Sequence, residues 1–397
     1  MTFCLTDINS CFASCEKVFD PTIRRQGIVV ASNNDGAIIA MDRVAKAKLG
    51  KHKVKFQPLF QWHSLLQQKG IAVRSANYEL YGSFSNHFYD LLRQRSPRIY
   101  PYSVDEVFLD YRGQLHCEEA AEKEGRDIRA DIWETIRLPV CTGFGPSITL
   151  SKAANQYAKD TPSLRGVCVI HEGNRSDILS KIDVGDIWGI GRKLKAHLTV
   201  MGITTAKQLA SQSPATFRRY FNINMENTIR ELNGESVLSW DEIVPPKKQI
   251  FSTRSFANPV VQYEPLRQAL IKYVEVVSRK AREQGSLVKE LVIFAHSSLF
   301  KGPVIRFQET CRMLSPTNEP HVLAGIVTDT MKAKFKGQGA YTKAGVGATI
   351  LVTDKFYQKD LFAGPEAKDG LGQLTDAINS RFGKHTLHLA SAGTQCG

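Results

Sequence analysis

The sequence predicts an α+β chain of several domains whose first folded unit is a ferredoxin-like split βαβ sheet. Three observations carry that prediction. At 397 residues the chain is longer than one hydrophobic core usually serves, so two to four domains are expected. With residues 11–74 set aside as an insertion, the chain up to Gly145 reads β, α, β, β, α, β, which is the split βαβ order. Beyond a Pro- and Lys-bearing stretch at Pro245-Pro246-Lys247-Lys248, strands and helices alternate a second time.

Each element follows from local pattern. Phe3 to Ile8 is an apolar strand ending near Asp7, and Phe12 to Val18 is a short helix stopped at Asp20-Pro21. Ile28 to Ser32 is a strand, Asn33-Asn34-Asp35-Gly36 a turn, and Ala37 to Ala40 the returning strand. Helices are expected at Arg43 to Leu49 and Leu59 to Gln68, with a basic loop at Lys51-His52-Lys53-Val54-Lys55. Leu80, Phe84, Phe88, Leu91 and Leu92 recur at helical spacing between Asn77 and Arg95. Ile99 to Tyr102 and Glu106 to Tyr111 form a hairpin, Glu118 to Ile136 a charged helix, and Val140 to Gly145 a strand. Later come a strand from Ile250 to Phe256, a helix from Glu264 to Gln284, and strands at Leu287 to Phe294, Val304 to Cys311 and Thr342 to Val352. A further helix is expected near His321 to Phe335.

Composition narrows the function classes. A hydrophobic content of 42% with 9% aromatic residues excludes a disordered chain. No apolar run approaches the ~20 residues that span a bilayer, and the first residues lack a signal peptide's basic start and apolar core. Eight cysteines, none in a C-x-x-C pair, suggest neither a zinc site nor a disulfide framework, so reduced thiols in a cytoplasmic protein are expected. The net charge is +13. From Lys247 to Val352 there are 16 Lys plus Arg against 7 Asp plus Glu, a net of +9, which points to a polyanion, nucleic acid first.

The chemistry concentrates at Asp105-Glu106, set between Val104 and the apolar run Val107-Phe108-Leu109. Taken alone the pair reads as a solvated hairpin tip. A buried acidic pair requires compensation, for which a divalent cation is the usual agent. In the split βαβ order the first and third strands are the central neighbours, which brings Asp7 beside Asp105 and Glu106, the convergence a two-metal site requires. One difficulty stands. Successive strand residues face opposite ways, so Asp105 and Glu106 share a site only if a turn or bulge twists the strand end.

These residues resemble the motifs of the Y-family DNA polymerases, in particular their UmuC branch, along residues 1 to about 390. Asp7-Ile8-Asn9-Ser10-Cys11-Phe12-Ala13-Ser14-Cys15-Glu16 is similar to the family's first carboxylate motif, and Ser103-Val104-Asp105-Glu106 to its S-x-D-E motif. Ser32 to Gly36 and Asn77 to Tyr81 are also UmuC-like. The resemblance implies a right-hand polymerase: palm at 1–10 and 75–165, fingers at 11–74, a helix-hairpin-helix thumb at 166–235, a linker at 236–249, a little finger at 250–352 and a tail at 353–397.

It also implies roles. Asp7, Asp105 and Glu106, with the Ile8 carbonyl, would hold two Mg²⁺ ions. Phe12 matches the steric gate that excludes a 2′-hydroxyl. Lys46 and Lys159 match contacts to the triphosphate, with Arg43 a weaker match. Lys152, Gly189, Gly191, Arg192, Lys193 and Arg254 are expected at DNA, the glycines in the hairpin Trp188-Gly189-Ile190-Gly191, with a helix expected on each side of it. Gln358, Leu361 and Phe362 match the peptide that docks on the sliding clamp. The implied reaction is error-prone DNA synthesis across damaged templates. The implied partners are primer-template DNA, dNTP, a UmuD′-like dimer, a RecA filament and the clamp, with no membrane. Two other classes fit part of the pattern. A non-catalytic DNA-binding scaffold would lack one of the three carboxylates, and a nucleotidyl cyclase would need neither the hairpin nor a basic second domain.

Overall fold

The computed structural model describes residues 3–33, 36–96, 98–239, 246–298, 303–337, 339–354 and 370–393. The chain divides into two compact units, Met1–Pro245 and Pro246–Gly397.

The first unit is built on a five-stranded sheet. Its strands are β1 (Phe3–Ile8), β5 (Ile99–Pro101), β6 (Glu106–Asp110), β7 (Val140–Gly145) and β8 (Val167–Val169), in the order β5-β6-β1-β7-β8. β1 pairs antiparallel with β6 and β7, so the first and third strands of the unit are central, as the sequence predicts. β8 adds parallel to β7 and is not foreseen from the sequence.

Alternation along the strands sorts the two faces. Cys4, Ile8, Val107 and Leu109 point into a core with Phe88 and Leu92 of helix α4 (Tyr78–Arg93) and with Ile128 and Ile132 of α5 (Glu118–Ile136). Phe3, Leu5 and Phe108 point the other way, into a smaller cluster with Ile148 at the start of α6 (Ile148–Asp160). Asp7 and Glu106 continue this second face by the same alternation. Gly143 is why α6 lies so close: a Cβ there would come within 2.1 Å of the Asn155 nitrogen. Asn155 then donates from Nδ2 to the carbonyls of Leu5 and Cys141, pinning the helix across β1 and β7.

The insertion carries helix α1 (Cys11–Phe19) and a three-stranded sheet of β2 (Gly27–Ala31), β3 (Ile38–Met41) and β4 (Ile71–Ser75), with α2 (Arg43–Leu49) and α3 (Leu59–Gln68) against it. β4 pairs parallel with β2. The sequence reading passes over it because five residues after Gly70 offer too little alternation to stand out. After β8 come the helices α7 (Glu172–Ser180), α8 (Arg192–Val200), α9 (Ala206–Ala210), α10 (Pro214–Tyr220) and α11 (Ile223–Leu232). The helix expected just before the Gly189 hairpin is instead one 3-10 turn, Val184–Asp186.

The second unit is again βαββαβ. Strands β9 (Ile250–Val260), β10 (Ser286–His296), β11 (Arg306–Thr317) and β12 (Tyr341–Thr353) form a sheet in the order β11-β10-β12-β9. Helices α12 (Tyr263–Glu283) and α13 (Pro320–Lys334) bury Leu270, Val274, Leu323 and Val327 against Leu291, Ile293, Ala344 and Val346. A last helix, α14 (Leu371–Phe382), ties to α12 through Arg282 and Asp376. No helix among the described residues is long and apolar enough to cross a membrane.

Candidate active site

β1 places Asp7 directly opposite Glu106 of β6, and opposed residues of an antiparallel pair put their side chains on one face. Asp105 lies outside the strand, in the bend that precedes β6, so strand alternation does not govern it. Its carbonyl accepts the Ile8 N–H at 2.8 Å. Its carboxylate accepts the Ser103 hydroxyl at 2.6 Å, while Ser103 Oγ accepts the N–H groups of Asp105 (3.3 Å) and Glu106 (3.1 Å). Tyr89 donates its hydroxyl to the Ser103 carbonyl at 2.6 Å and braces the bend from α4. This bend answers the difficulty posed by the sequence. Serine fits because one hydroxyl both accepts and donates.

The electrostatics tie the three acids together. Asp7 is 7% exposed. Burial pushes its carboxyl up to about 6; the Lys159 ammonium pulls it down, and repulsion from Asp105 and Glu106 pushes it up again. Lys159 Nζ sits 2.7 Å from Asp7 Oδ1, and Lys152 Nζ sits 2.7 Å from Glu106 Oε1. Both lysines come from α6, seven residues and two turns apart, hence on one helix face. Lys152 also lies over the Tyr102 ring at 4.6 Å. Trp188 completes that wall, donating from Nε1 to the Tyr102 hydroxyl at 3.1 Å.

Among the described residues no three His, Cys, Asp or Glu side chains close into a ready-made metal cage. The two strand carboxylates hold lysine ammonium groups instead. The donor chemistry nonetheless fits a hard divalent cation: three carboxylates within one another's field, a strand-end carbonyl at Ile8, and positive charge already drawn to the cluster.

A less visible residue positions α6. Glu231 of α11 is fully buried. Its carboxylate accepts the N–H groups of Thr149 (2.9 Å), Val237 (2.9 Å) and Leu238 (3.1 Å), and its carbonyl accepts the Ser147 hydroxyl at 2.7 Å. It thus fastens the start of the lysine-bearing helix to α11 and to the chain that follows α11. Nothing local in the sequence marks it, because its partner at Ser147 is 84 positions away.

The other expected site residues fall as follows. Ser10 takes a left-handed conformation (φ 50°) that turns the chain sharply from β1 into α1. Phe12 then stacks on Tyr81, with ring centres 4.4 Å apart and planes 13° apart, and meets Tyr78 edge-on. Arg43 opens α2 and Lys46 lies in its last turn, both exposed, and the cap Asp42 accepts the Ala45 N–H at 2.8 Å. Gly189 has φ +87° and open space around it; Gly191 precedes α8 with no side-chain cap, leaving first-turn amides toward solvent beside exposed Arg192 and Lys193.

In the second unit, Arg254 pairs in register with buried Ala344 and so points to the helix-covered side. The opposite face carries Arg306, Arg312, His296 and Lys343, all in register on one side. Alternation in β11 alone would have found the two arginines. The clamp-peptide residues Gln358, Leu361 and Phe362 lie outside the described residues.

Residues 6–156 match the impB/mucB/samB family, and residues 247–361 match that family's C-terminal domain. Protein SamB of Salmonella typhimurium is 36% identical over 98% of this chain and 93% of its own length. Protein UmuC of Salmonella typhimurium strain LT2 is 33% identical over the same shares. Among solved structures, a Y-family DNA polymerase chimera of Dbh and Dpo4 superposes with a TM-score of 0.67 at 18% identity, covering 89% of this chain and all of the other. At that identity the likeness speaks for the fold. The near-full-length identities settle the lineage: the chain belongs to the impB/mucB/samB family, the UmuC branch of the Y-family DNA polymerases.

Proposed function

We propose that this chain's error-prone, translesion DNA synthesis runs on Asp7, Asp105 and Glu106, with two Mg²⁺ ions bound among them and the Ile8 carbonyl. The observation that carries the reading is the register of β1 on β6, which sets Asp7 against Glu106 while Ser103 holds Asp105 at the strand end. Asp7, Asp105, Glu106 and the Ile8 carbonyl would hold the ions, which would supply Lewis acidity toward the primer 3′-hydroxyl and positive charge toward the triphosphate and leaving pyrophosphate.

The chain's own residues prepare that chemistry. Lys159 and Lys152 neutralise Asp7 and Glu106. An incoming triphosphate offers a competing anion, so in this reading Lys159 passes from Asp7 to a phosphate oxygen, joined by Arg43 and Lys46 from α2. Phe12, braced by Tyr81, walls the sugar and excludes a 2′-hydroxyl. Gly189, Gly191, Arg192 and Lys193 hold the duplex by its phosphates without reading sequence. The boundaries implied by the family for palm, fingers, thumb and little finger, and the partners (a UmuD′-like dimer, a RecA filament and the sliding clamp), belong to the same reading, as does a cytoplasmic location.

The test is primer extension with dNTPs and Mg²⁺ on an intact and an abasic template, with and without UmuD′ and RecA. Extension past the abasic site is expected in at least one condition. Its absence from both templates in every condition would overturn the proposal.

A further inference from the structure

The segment from Arg43 to Tyr78 holds eight Lys plus Arg and no Asp or Glu. Of these cations, Arg74 is paired with Asp20, and Lys48 donates to the carbonyls of Lys69 and Gly70. Lys51, Lys53 and Lys55 are exposed in the loop between α2 and α3. That loop ends on Phe56, which is 70% exposed and has φ +66°. A bulky residue in the left-handed region is an outlier that surrounding structure must enforce. Here the Phe56 N–H donates to the Ile38 carbonyl at 2.7 Å and the Ile38 N–H to the Gln57 carbonyl at 2.9 Å. The strained turn therefore presents an aromatic ring to solvent, with the Lys55 ammonium 5.0 Å from its centre. Phe60, 79% exposed, stands four residues on, in the first turn of α3, beside a depression of about 420 Å³ lined by Gly36, Leu59 and His63.

Exposed rings interleaved with cations, in a segment empty of acids, have one fitting occupant class. Bases stack on aromatic faces while phosphates meet lysines, and neither contact depends on sequence. A protein-docking patch would instead deplete lysine at its centre. We propose that Phe56 and Phe60, with Lys51, Lys53 and Lys55, form a stacking platform for single-stranded nucleic acid. Resting on the polymerase reading above, its natural occupant is the unpaired template strand ahead of the copied base.

The experiment measures binding of the full chain to fluorescein-labelled primer-templates by anisotropy, comparing a single unpaired template nucleotide with about twelve. The longer overhang is expected to bind roughly tenfold more tightly. In the double variant Phe56→Asn/Phe60→Ala that gain disappears. Asparagine tolerates the left-handed turn, and both rings are exposed, so melting temperature and binding to the single-nucleotide template stay unchanged. Replacing Lys51, Lys53 and Lys55 with Gln lowers the salt dependence of overhang binding, log K against log salt, by about 2. No gain from the longer overhang in the unsubstituted protein, or a full gain in the double variant, would overturn the platform. One-nucleotide extension is measured alongside: its absence counts against the polymerase reading, while the overhang gain is read independently of it.

Discussion

The two units share one chain pattern, βαββαβ, and use it for opposite ends. In the first unit the second, third, first and fourth strands of the pattern lie in that order; in the second unit the order is third, second, fourth, first. Both sheets cover one face with two helices. On the other face the first unit sets carboxylates, Asp7 against Glu106. The second sets Arg306, Arg312 and Lys343, with Phe251 and Phe294 lying across Gly347 and Gly345, where a Cβ would come within 2.2 and 2.7 Å of the rings. Asp7 is buried and Glu106 half-buried, each offset by a lysine from α6, whereas the arginines are exposed. One chain pattern, laid out in two strand orders, thus sets lysine-neutralised acids beneath α6 in the first sheet, for the proposed reaction centre, and exposed arginines on the second, for a proposed grip on DNA. The net of +9 from Lys247 to Val352 matches the second role.

The widest separation should appear when each face loses charge. Glu106→Gln should lower kcat by on the order of 10³-fold with little change in DNA affinity. Arg306→Gln/Arg312→Gln should leave kcat near normal, weaken DNA binding, and reduce the slope of log K against log salt by about 2. Single-turnover kinetics and anisotropy across a salt series read both. The reverse pattern would break the contrast.

A smaller effect sharpens why the first face works. Glu231→Ala strips a buried acceptor from three backbone amides, so stability should fall by about 3 kcal/mol. Because Glu231 anchors the start of α6, kcat should fall as well, through displaced Lys152 and Lys159. Denaturant unfolding and kinetics at a temperature where the variant is folded separate the two, and unchanged kcat there would reduce Glu231 to a structural role.

The smallest effect concerns pH. Asp7 rises from 3.8 to about 6, so between those values the folded chain keeps a proton that the unfolded chain has shed. Stability is therefore lost as pH rises through that window, by at most about 3 kcal/mol above pH 6. In EDTA, the melting temperature of Asp7→Asn relative to the unsubstituted protein should climb from pH 4 to pH 7. A difference independent of pH would mean that Asp7 carries no such burden.

Much of this was readable from residue order alone. β1, β7 and α5 lie at the expected bounds, and the central pairing of the first and third strands followed from the split βαβ order. What escaped was decided at a distance or by short segments. β4 and β8 are five and three residues long and exist as parallel partners of stronger strands. Arg254, expected at DNA by resemblance, is exposed, and strand alternation puts it on the helix side of its sheet. Asp105 was recognised by its motif, but its orientation rests on the Ser103 hydroxyl and on Ile8 across the sheet.

The central claim is that the three carboxylates together hold the metal at which nucleotides are joined. The direct measurement is Mn²⁺ binding by electron paramagnetic resonance, taken with single-turnover primer extension and DNA anisotropy, on the unsubstituted protein and on Asp105→Ala. Asp105→Ala is expected to lose tight Mn²⁺ binding and primer extension together while its DNA affinity holds. Extension by Asp105→Ala within about tenfold of the unsubstituted rate, or Mn²⁺ binding unchanged, would contradict it.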